Sequence, residues 1–145
     1  MAYKLSTGLR NAMLDGSSFR EALALGFVKL YNGTPPATAD AAATGTVLCI
    51  VSDNNTGTGL TLDPASAGTI NKATSQAWNG VNIAGGTATY FRYVENTDDG
   101  TASSTQKRLQ GTCGNSGADM NMTNVNLTVG AIQTVDAASF TLPTF

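Results

Sequence analysis

The residues that most often carry out enzymatic chemistry are scarce in this chain. It contains no histidine, which removes the usual general base, the serine–histidine–aspartate arrangement and the commonest zinc ligand. Asp98 and Asp99 are adjacent carboxylates that could serve glycoside hydrolysis, but the Asp-Gly step that follows them is typical of a hairpin turn. We therefore predict that the protein is not an enzyme and has no catalytic residues.

Candidate metal and cofactor sites are equally weak. The segment at Asp53, Asn54 and Asn55 has the oxygen-rich composition of a calcium loop, but it lacks the spaced acids and the closing glutamate. Cys49 and Cys113 are far apart in the sequence and do not have the spacing of a redox motif or a zinc site. We predict no metal, no cofactor and two buried free thiols, with a disulfide between the two cysteines as the alternative.

The charge content limits the classes of partner. Only 12% of the residues are charged and the formal net charge is -2, so the surface is polar but nearly neutral. No basic stripe could neutralise a run of phosphates, and no polybasic anchor is present. No apolar run approaches the roughly 20 residues that cross a bilayer, and the N-terminus lacks the apolar core of a signal peptide. We expect neither nucleic acid nor a membrane as a partner.

The first 26 residues predict two short helices. Helical spacing is shown in the first helix by four apolar side chains, at Leu5, Leu9, Ala12 and Met13. In the second, Ser18 and Glu21 have the spacing of a capping box, and Gly26 ends the helix. Helices this short are not stable alone, so they need an apolar surface, either their own sheet or a neighbour's. We predict a helical arm over residues 1–26.

Residues 27–145 predict an antiparallel β-sandwich body of jelly-roll-like type. Short β-branched or aromatic segments alternate there with clusters of Gly, Asn, Asp and Thr. The predicted strands are FVKLY, TVLCIVS, GLTLD, GTINKA, QAWNGVNIA, ATYFRYVEN, QKRLQGT, NVNLTV and SFTLP. The segment TYFRYVE is apolar on both faces, which predicts a central strand or a contact with another subunit. The predicted fold class is therefore mainly β, an antiparallel β-sandwich preceded by two short N-terminal helices.

Three stretches, taken in order, resemble small virion structural proteins of tailed bacteriophages. They are LSTGLRNAMLDGSSFREALALG, FVKLYNGTPPATADAAATGTVL and KRLQGTCGNSGADMNMTNVNLTVGAIQTVDAASFTLP. The resemblance is carried mainly by LYNGTPPATADAA with the TGT that follows, and by QGT and SGADM late in the chain. It implies a capsid decoration or cement protein, made in the host cytoplasm and located in the virion. The implied partner is the major capsid protein or another virion protein.

A decoration protein would bind and stabilise a repetitive lattice, where many weak contacts act together. One alternative is a tail or baseplate adaptor or fibre-attachment protein. A second alternative is a receptor- or carbohydrate-binding module, in which Trp78 with Tyr90 or Tyr93 would stack on sugar rings. Exposed sheet edges in virion proteins also favour a homo-oligomer, a dimer or a trimer.

Partner contacts are predicted in the helical arm and in the loop after the first strand of the body. The predicted contact residues are Leu5, Leu9, Met13, Phe19, Leu23, Pro35 and Pro36. The first 30 residues carry four basic and two acidic side chains, which leaves -4 on the remainder and would suit an arm that docks on an adjacent copy. The two prolines stiffen the loop NGTPPATADAAATGT. That loop is either a contact finger or an ordinary crossover between two strands.

Overall fold

In a computed structural model that describes residues 3–142, two short helices form within the predicted helical arm. The predicted bounds are wrong at two points, since Leu5 lies in a strand and the second helix ends at Ala22, before Gly26. Helix α1 spans Thr7–Leu14 and helix α2 spans Phe19–Ala22. The side chain of Ser6 accepts the Leu9 N–H at 3.1 Å and so caps α1. At the start of α2, Ser18 Oγ accepts the Glu21 N–H, and the Glu21 carboxylate accepts the Ser18 N–H at 2.9 Å. The predicted capping box is therefore present.

The chain is mainly β, with 37% strand and 9% helix, and the predicted antiparallel sandwich class is confirmed. The strands of the described residues are β1 Lys4–Leu5, β2 Phe27–Tyr31, β3 Val47–Asp53, β4 Thr69–Asn71, β5 Trp78–Val81, β6 Gly86–Thr87, β7 Tyr90–Val94, β8 Arg108–Gly114, β9 Met120–Asn121, β10 Asn126–Leu127, β11 Ile132–Thr134 and β12 Ser139–Thr141. The main sheet has the order β1-β8-β7-β2-β3-β5-β11, and β9 pairs with the end of β8. Two antiparallel ribbons, β4 with β12 and β6 with β10, complete the structure.

Most predicted strands form, within a few residues of the predicted ends. The segment FVKLY is β2, and TYFRYVE contains β7, whose five residues are all buried between β2 and β8. Segment GLTLD is not a strand, since Leu60 and Leu62 are buried in the core while their backbones make only isolated bridges. Of NVNLTV only the two residues of β10 pair, and Val129 is exposed. Pro143 of SFTLP lies outside the described residues.

One face of the main sheet forms the hydrophobic core. This core face carries side chains in register on β8, β7, β2 and β3, namely Leu109, Tyr93, Val28 and Val51. The leucines of the helical segment, Leu9 and Leu23, belong to the same buried cluster, as does Phe140 of β12. The two helices therefore pack on the sheet of their own chain, which supplies the apolar surface that helices of this length require.

The opposite face of the main sheet is polar and is covered by the loop that joins β2 to β3, residues 32–46, which we call the crossover loop. Its backbone carbonyls accept hydrogen bonds from buried side chains of the sheet. The bonds run from Gln110 to Pro36 O at 2.8 Å, from Arg92 to Ala41 O at 2.8 Å and from Arg108 to Ala39 O at 3.2 Å. The crossover loop thereby satisfies polar groups that would otherwise be buried without partners.

A buried ion pair lies beneath the crossover loop. Arg108 donates through Nε to Asp98 Oδ1 at 2.5 Å, and both side chains are completely buried. Lys29 Nζ lies 3.5 Å from Asp98 Oδ2. Arg92, on the neighbouring strand, forms no ion pair with a carboxylate among residues 3–142. Burial, and then the Arg108 charge, lower its pKa. Asp98 therefore compensates positive charge on a crowded basic face.

Both cysteines are free thiols; Cys49 is buried and Cys113 is half-buried. Burial raises the pKa of Cys49 to about 11, and burial together with the Asp119 charge raises the pKa of Cys113 to about 12. Burial likewise raises the pKa of Tyr31 to about 12. At pH values below the ordinary pKa of these groups, they are protonated in both the folded and the unfolded chain. Their raised pKa values therefore do not change the free energy of unfolding in that pH range.

The free energy of unfolding is expected to fall as the pH rises above the ordinary thiol value of 9.0. The unfolded chain then loses these protons before the folded chain does, and the loss continues until the folded thiols and Tyr31 ionise near pH 11 to 12. Urea titrations in a reducing buffer at about pH 8 and about pH 10.5 would measure it. A Cys49→Ala variant should show a smaller decrease between these pH values. A free energy of unfolding that does not change would contradict the prediction.

Candidate functional site

The strongest candidate site is an apolar groove of about 350 Å³ between the helical segment and the ribbon of β4 and β12. Its apolar lining includes Leu5, Phe19, Ala65, Ile70, Phe140 and Leu142. Leu142 is 55% exposed, whereas Ile70 and Phe140 are buried at the base. We call this feature the apolar groove.

Aromatic contacts fix the shape of the apolar groove. The ring of Phe140 on β12 lies 5.6 Å from that of Tyr3 and 5.9 Å from that of Phe19, between ring centres. These separations are typical of favourable edge-to-face and tilted aromatic pairs. The Tyr3 hydroxyl also donates to Ser139 O at 3.0 Å, which joins the start of the described chain to β12. Packing within the chain therefore fixes the shape of the groove.

The electrostatics of the apolar groove are simple. Among the described residues that line it, Arg20 alone carries a formal charge, and its Nε donates to Leu62 O at 2.7 Å. Burial, assisted by the Asp119 charge, raises the pKa of Tyr3, which keeps that hydroxyl neutral. An apolar surface with one cation at its rim suits an apolar side chain that is presented next to a carboxylate.

Two of the predicted contact residues lie together in the apolar groove, and two others are buried in the core of the same chain. Leu5 and Phe19 both line the apolar groove. Met13 is half-buried and packs against the core. Leu9 and Leu23 are completely buried in the chain's own core, so the prediction that they contact a partner is wrong. Helical spacing identified the apolar side of each helix but could not show which sheet would cover it.

The prolines of the crossover loop lie away from the apolar groove. Pro36 is buried, and its carbonyl accepts from Gln110 at 2.8 Å and from Lys4 at 3.4 Å. The prediction of a partner contact at Pro36 is therefore wrong, because the sheet of the same chain already occupies that surface. Pro35 is half-buried. Asp40 of the same loop accepts from the backbone and side chain of Thr7, and these bonds lower the pKa of its carboxyl.

The aromatic residues considered for sugar stacking are not available to a ligand. Trp78, Tyr90 and Tyr93 are completely buried. Trp78 packs edge-on against Tyr93 with 5.7 Å between ring centres, and the Tyr90 hydroxyl donates to Thr44 O at 2.6 Å. The prediction that these side chains form a stacking platform is therefore wrong, since a sugar ring needs an exposed aromatic face.

The groove residues that sequence reasoning missed lie near the end of the chain. Phe140 and Leu142 belong to the predicted strand SFTLP, for which the sequence indicates no role in a site. The apolar alternation of that strand was a usable signal for burial, but not for its neighbours. The hydrogen bond from Tyr3 to Ser139 spans 136 positions, and no local pattern reports a contact at that distance.

The described part of the chain has neither a cluster of metal ligands nor a helix that could span a membrane. Residues 3–142 contain no group of three or more acidic, cysteine or histidine side chains placed to hold a metal ion. The Asp53 carboxylate, in the segment that resembles a calcium loop, accepts the Ala77 N–H at 3.0 Å. None of the helices in these residues has the length and apolar character needed to span a membrane. No protein-family model, no curated protein and no solved structure matches the chain.

Proposed function

We propose that this chain is a virion structural protein of a tailed bacteriophage that binds and stabilises the capsid lattice through the apolar groove. The observation that carries the proposal is a preformed groove of about 350 Å³, which two of the predicted contact residues, Leu5 and Phe19, help to line. The resemblance of LYNGTPPATADAA and SGADM to phage virion proteins supports the choice of partner.

The proposed occupant of the groove is an apolar side chain of the major capsid protein, next to an acidic residue. Leu142 and the half-buried Phe19 offer apolar area that water covers in the isolated chain. Arg20 at the rim would face the acidic residue. Burial of apolar surface gives about 25 cal/mol per Å², so one such contact is weak. Repetition over a lattice makes weak contacts sufficient.

The test uses purified capsids that lack this protein, with co-sedimentation as the measurement. Ala65 lines the groove at an exposed position, so Ala65→Arg should fill the opening and weaken capsid binding by about tenfold or more. Ser66→Arg is the matched control, because Ser66 is exposed, adjacent and outside the groove lining. Both variants add one positive charge, so a difference in capsid binding between them cannot be caused by net charge.

Equal capsid binding by the two arginine variants would exclude the groove as the docking site. Wild-type protein that sediments with purified tails and not with capsids would overturn the capsid assignment in favour of a tail or baseplate adaptor. Quantitative mass spectrometry of intact particles provides an independent check. A decoration protein should be present in numbers comparable to the capsid subunits.

A further inference from the structure

A second surface lies at the opposite edge of the main sheet from β1. Strand β11 ends the sheet, and its free side borders a notch of about 280 Å³. One wall of the notch is β11, and the other is formed by residues 123–128. We call this feature the edge notch.

The free side of β11 presents outward backbone groups to the edge notch, of which Thr134 O accepts a long hydrogen bond from Gln133 Nε2 at 3.4 Å. Hydrogen bonds join Val135 N to Trp78 O and Asn82 N to Ala131 O, each at 2.8 Å. In an antiparallel ladder bonded and non-bonded positions alternate, so Gln133 is the β11 residue that faces Gly80 of β5 with its backbone groups. The N–H groups of Ile132 and Thr134 therefore point away from β5. Neither has a hydrogen-bond partner among residues 3–142.

The facing wall of the edge notch is rich in amides and hydroxyls. It carries Asn124, Asn126 and Thr128, and Asn82 lies at its inner end. Asn82 is 3% exposed; its Nδ2 donates to Thr128 O at 3.0 Å, but within the described residues its Oδ1 has no partner. A buried amide oxygen without a partner costs free energy, and an added donor would remove that cost.

We propose that the edge notch binds an extended peptide segment of a partner protein, which adds to β11 as a further strand. The outward backbone groups of Ile132 and Thr134 would make the main-chain hydrogen bonds, as in other cases of strand addition. Amide side chains on the facing wall both donate and accept, so they match the second edge of the inserted peptide backbone.

Side chains next to the notch indicate which segment it takes. Register places Ile132 beside Val81 on β5, and both lie on the face that also carries the exposed Ile50 of β3. Apolar or β-branched side chains at alternate positions of the segment would extend this row. Asp136 is the charged residue of the lining, so a lysine or arginine near one end of the segment is favoured.

Two other occupants fit less well. A second folded copy would have to bring its own sheet up to β11, and the wall of residues 123–128 stands there. A sugar would find no aromatic platform among the described residues that line the notch. The inference does not depend on the proposed function, since the groove and the notch lie at opposite edges of the sheet. If both hold, one chain can join two neighbouring lattice subunits.

The experiment measures amide hydrogen exchange by NMR on the full chain. The probe is a synthetic peptide of about eight residues with alternating valine and threonine and a lysine at each end. At about 1 mM peptide, exchange of the Ile132 and Thr134 amides should slow by about tenfold or more. Thr134→Pro should abolish this protection at Ile132, because it removes an outward donor and leaves the pairing with β5 intact.

Thr134→Val keeps the N–H and is the matched control, so it should bind as the wild type does. The same peptide with N-methyl groups on alternate residues tests the main-chain bonds without changing the protein, and it should not bind. Wild-type protein whose two β11 amides gain no protection would overturn the proposal. Equal protection by the N-methylated peptide, or resonance shifts in the notch with an oligosaccharide alone, would also overturn it.

Discussion

Replacing Asp98 by asparagine is expected to lower the free energy of unfolding by about 3 to 5 kcal/mol. The substitution keeps the size of the side chain but removes the negative charge that contacts Arg108 at 2.5 Å and Lys29 at 3.5 Å. The Arg108 guanidinium is completely buried and would keep only the exposed Asp99 carboxylate, 4.0 Å away, as a counter-ion. Arg92 on the adjacent strand adds a second buried cation. Urea titration at neutral pH is the measurement.

The matched control is Asp99→Asn, one residue later in the same turn. The Asp99 side chain is 59% exposed and lies 4.0 Å from Arg108, so its charge is screened by water. Its main bonds are to the backbone and hydroxyl of Thr101, and an asparagine oxygen can still accept them. We expect a much smaller change in the free energy of unfolding than for Asp98→Asn, because water screens an exposed charge. Similar losses for Asp98→Asn and Asp99→Asn would show that burial does not decide the effect.

Replacing Gly8 by alanine is expected to destabilise the protein, although the same change usually stabilises a helix by about 1 kcal/mol. Gly8 lies in α1 against the backbone of residues 105–106. A Cβ added there would lie 2.7 Å from Gln106 O and still closer to the Thr105 carbonyl. Backbone atoms cannot rotate away, so α1 would have to move away from the segment that precedes β8. Overpacking of this kind costs about 1 to 3 kcal/mol or more.

The effect of Gly8→Ala should also reach the apolar groove, because α1 follows directly on β1, whose Leu5 lines it. Gly85→Ala is the control. A Cβ at Gly85 would find its nearest neighbour, Leu127 O, at 3.5 Å, an ordinary contact distance. We expect that variant to unfold at nearly the wild-type urea concentration. A Gly8→Ala protein that is more stable than the wild type would mean that α1 does not pack as described.

The apolar groove and the edge notch are the two surfaces through which the chain would carry out the proposed assembly role. Sheet edges are usually protected in soluble proteins, because unpaired backbone groups there invite further pairing. One edge of this sheet ends at β1, beside the groove, and the other ends at β11, which borders the notch. Sites at opposite edges would let the chain contact two neighbours, which is what a protein that stabilises a lattice must do.

The local signals of the sequence predicted the local structure well. The Ser18–Glu21 capping box and the five residues of β2 are encoded within a few positions, and they form as predicted. The segment TYFRYVE, predicted to be a central strand or a contact with another subunit, contains β7, which is a central strand between β2 and β8. Strands β1, β6, β9 and β11 are not among the predicted strands, because two or three residues are too few to show an alternating pattern.

The candidate site could be predicted only in part. Spacing along the helices identified Leu5 and Phe19, which do line the groove, together with Leu9 and Leu23, which do not. All four are apolar and fit the predicted helical spacing, although Leu5 lies in β1, so no local pattern separates them. Their difference arises because two of them are covered by the core of the same chain.

The sequence by itself determined the fold class, the caps of the helices and the scarcity of groups that could do chemistry. Only the tertiary structure decided that Asp98 is a buried counter-ion, that the crossover loop covers a polar face, and that the groove and the notch exist. The reason is the range of the forces involved. Capping and periodicity act over a few residues, whereas burial depends on contacts such as the hydrogen bond from Ser6 to Gln106, 100 positions apart.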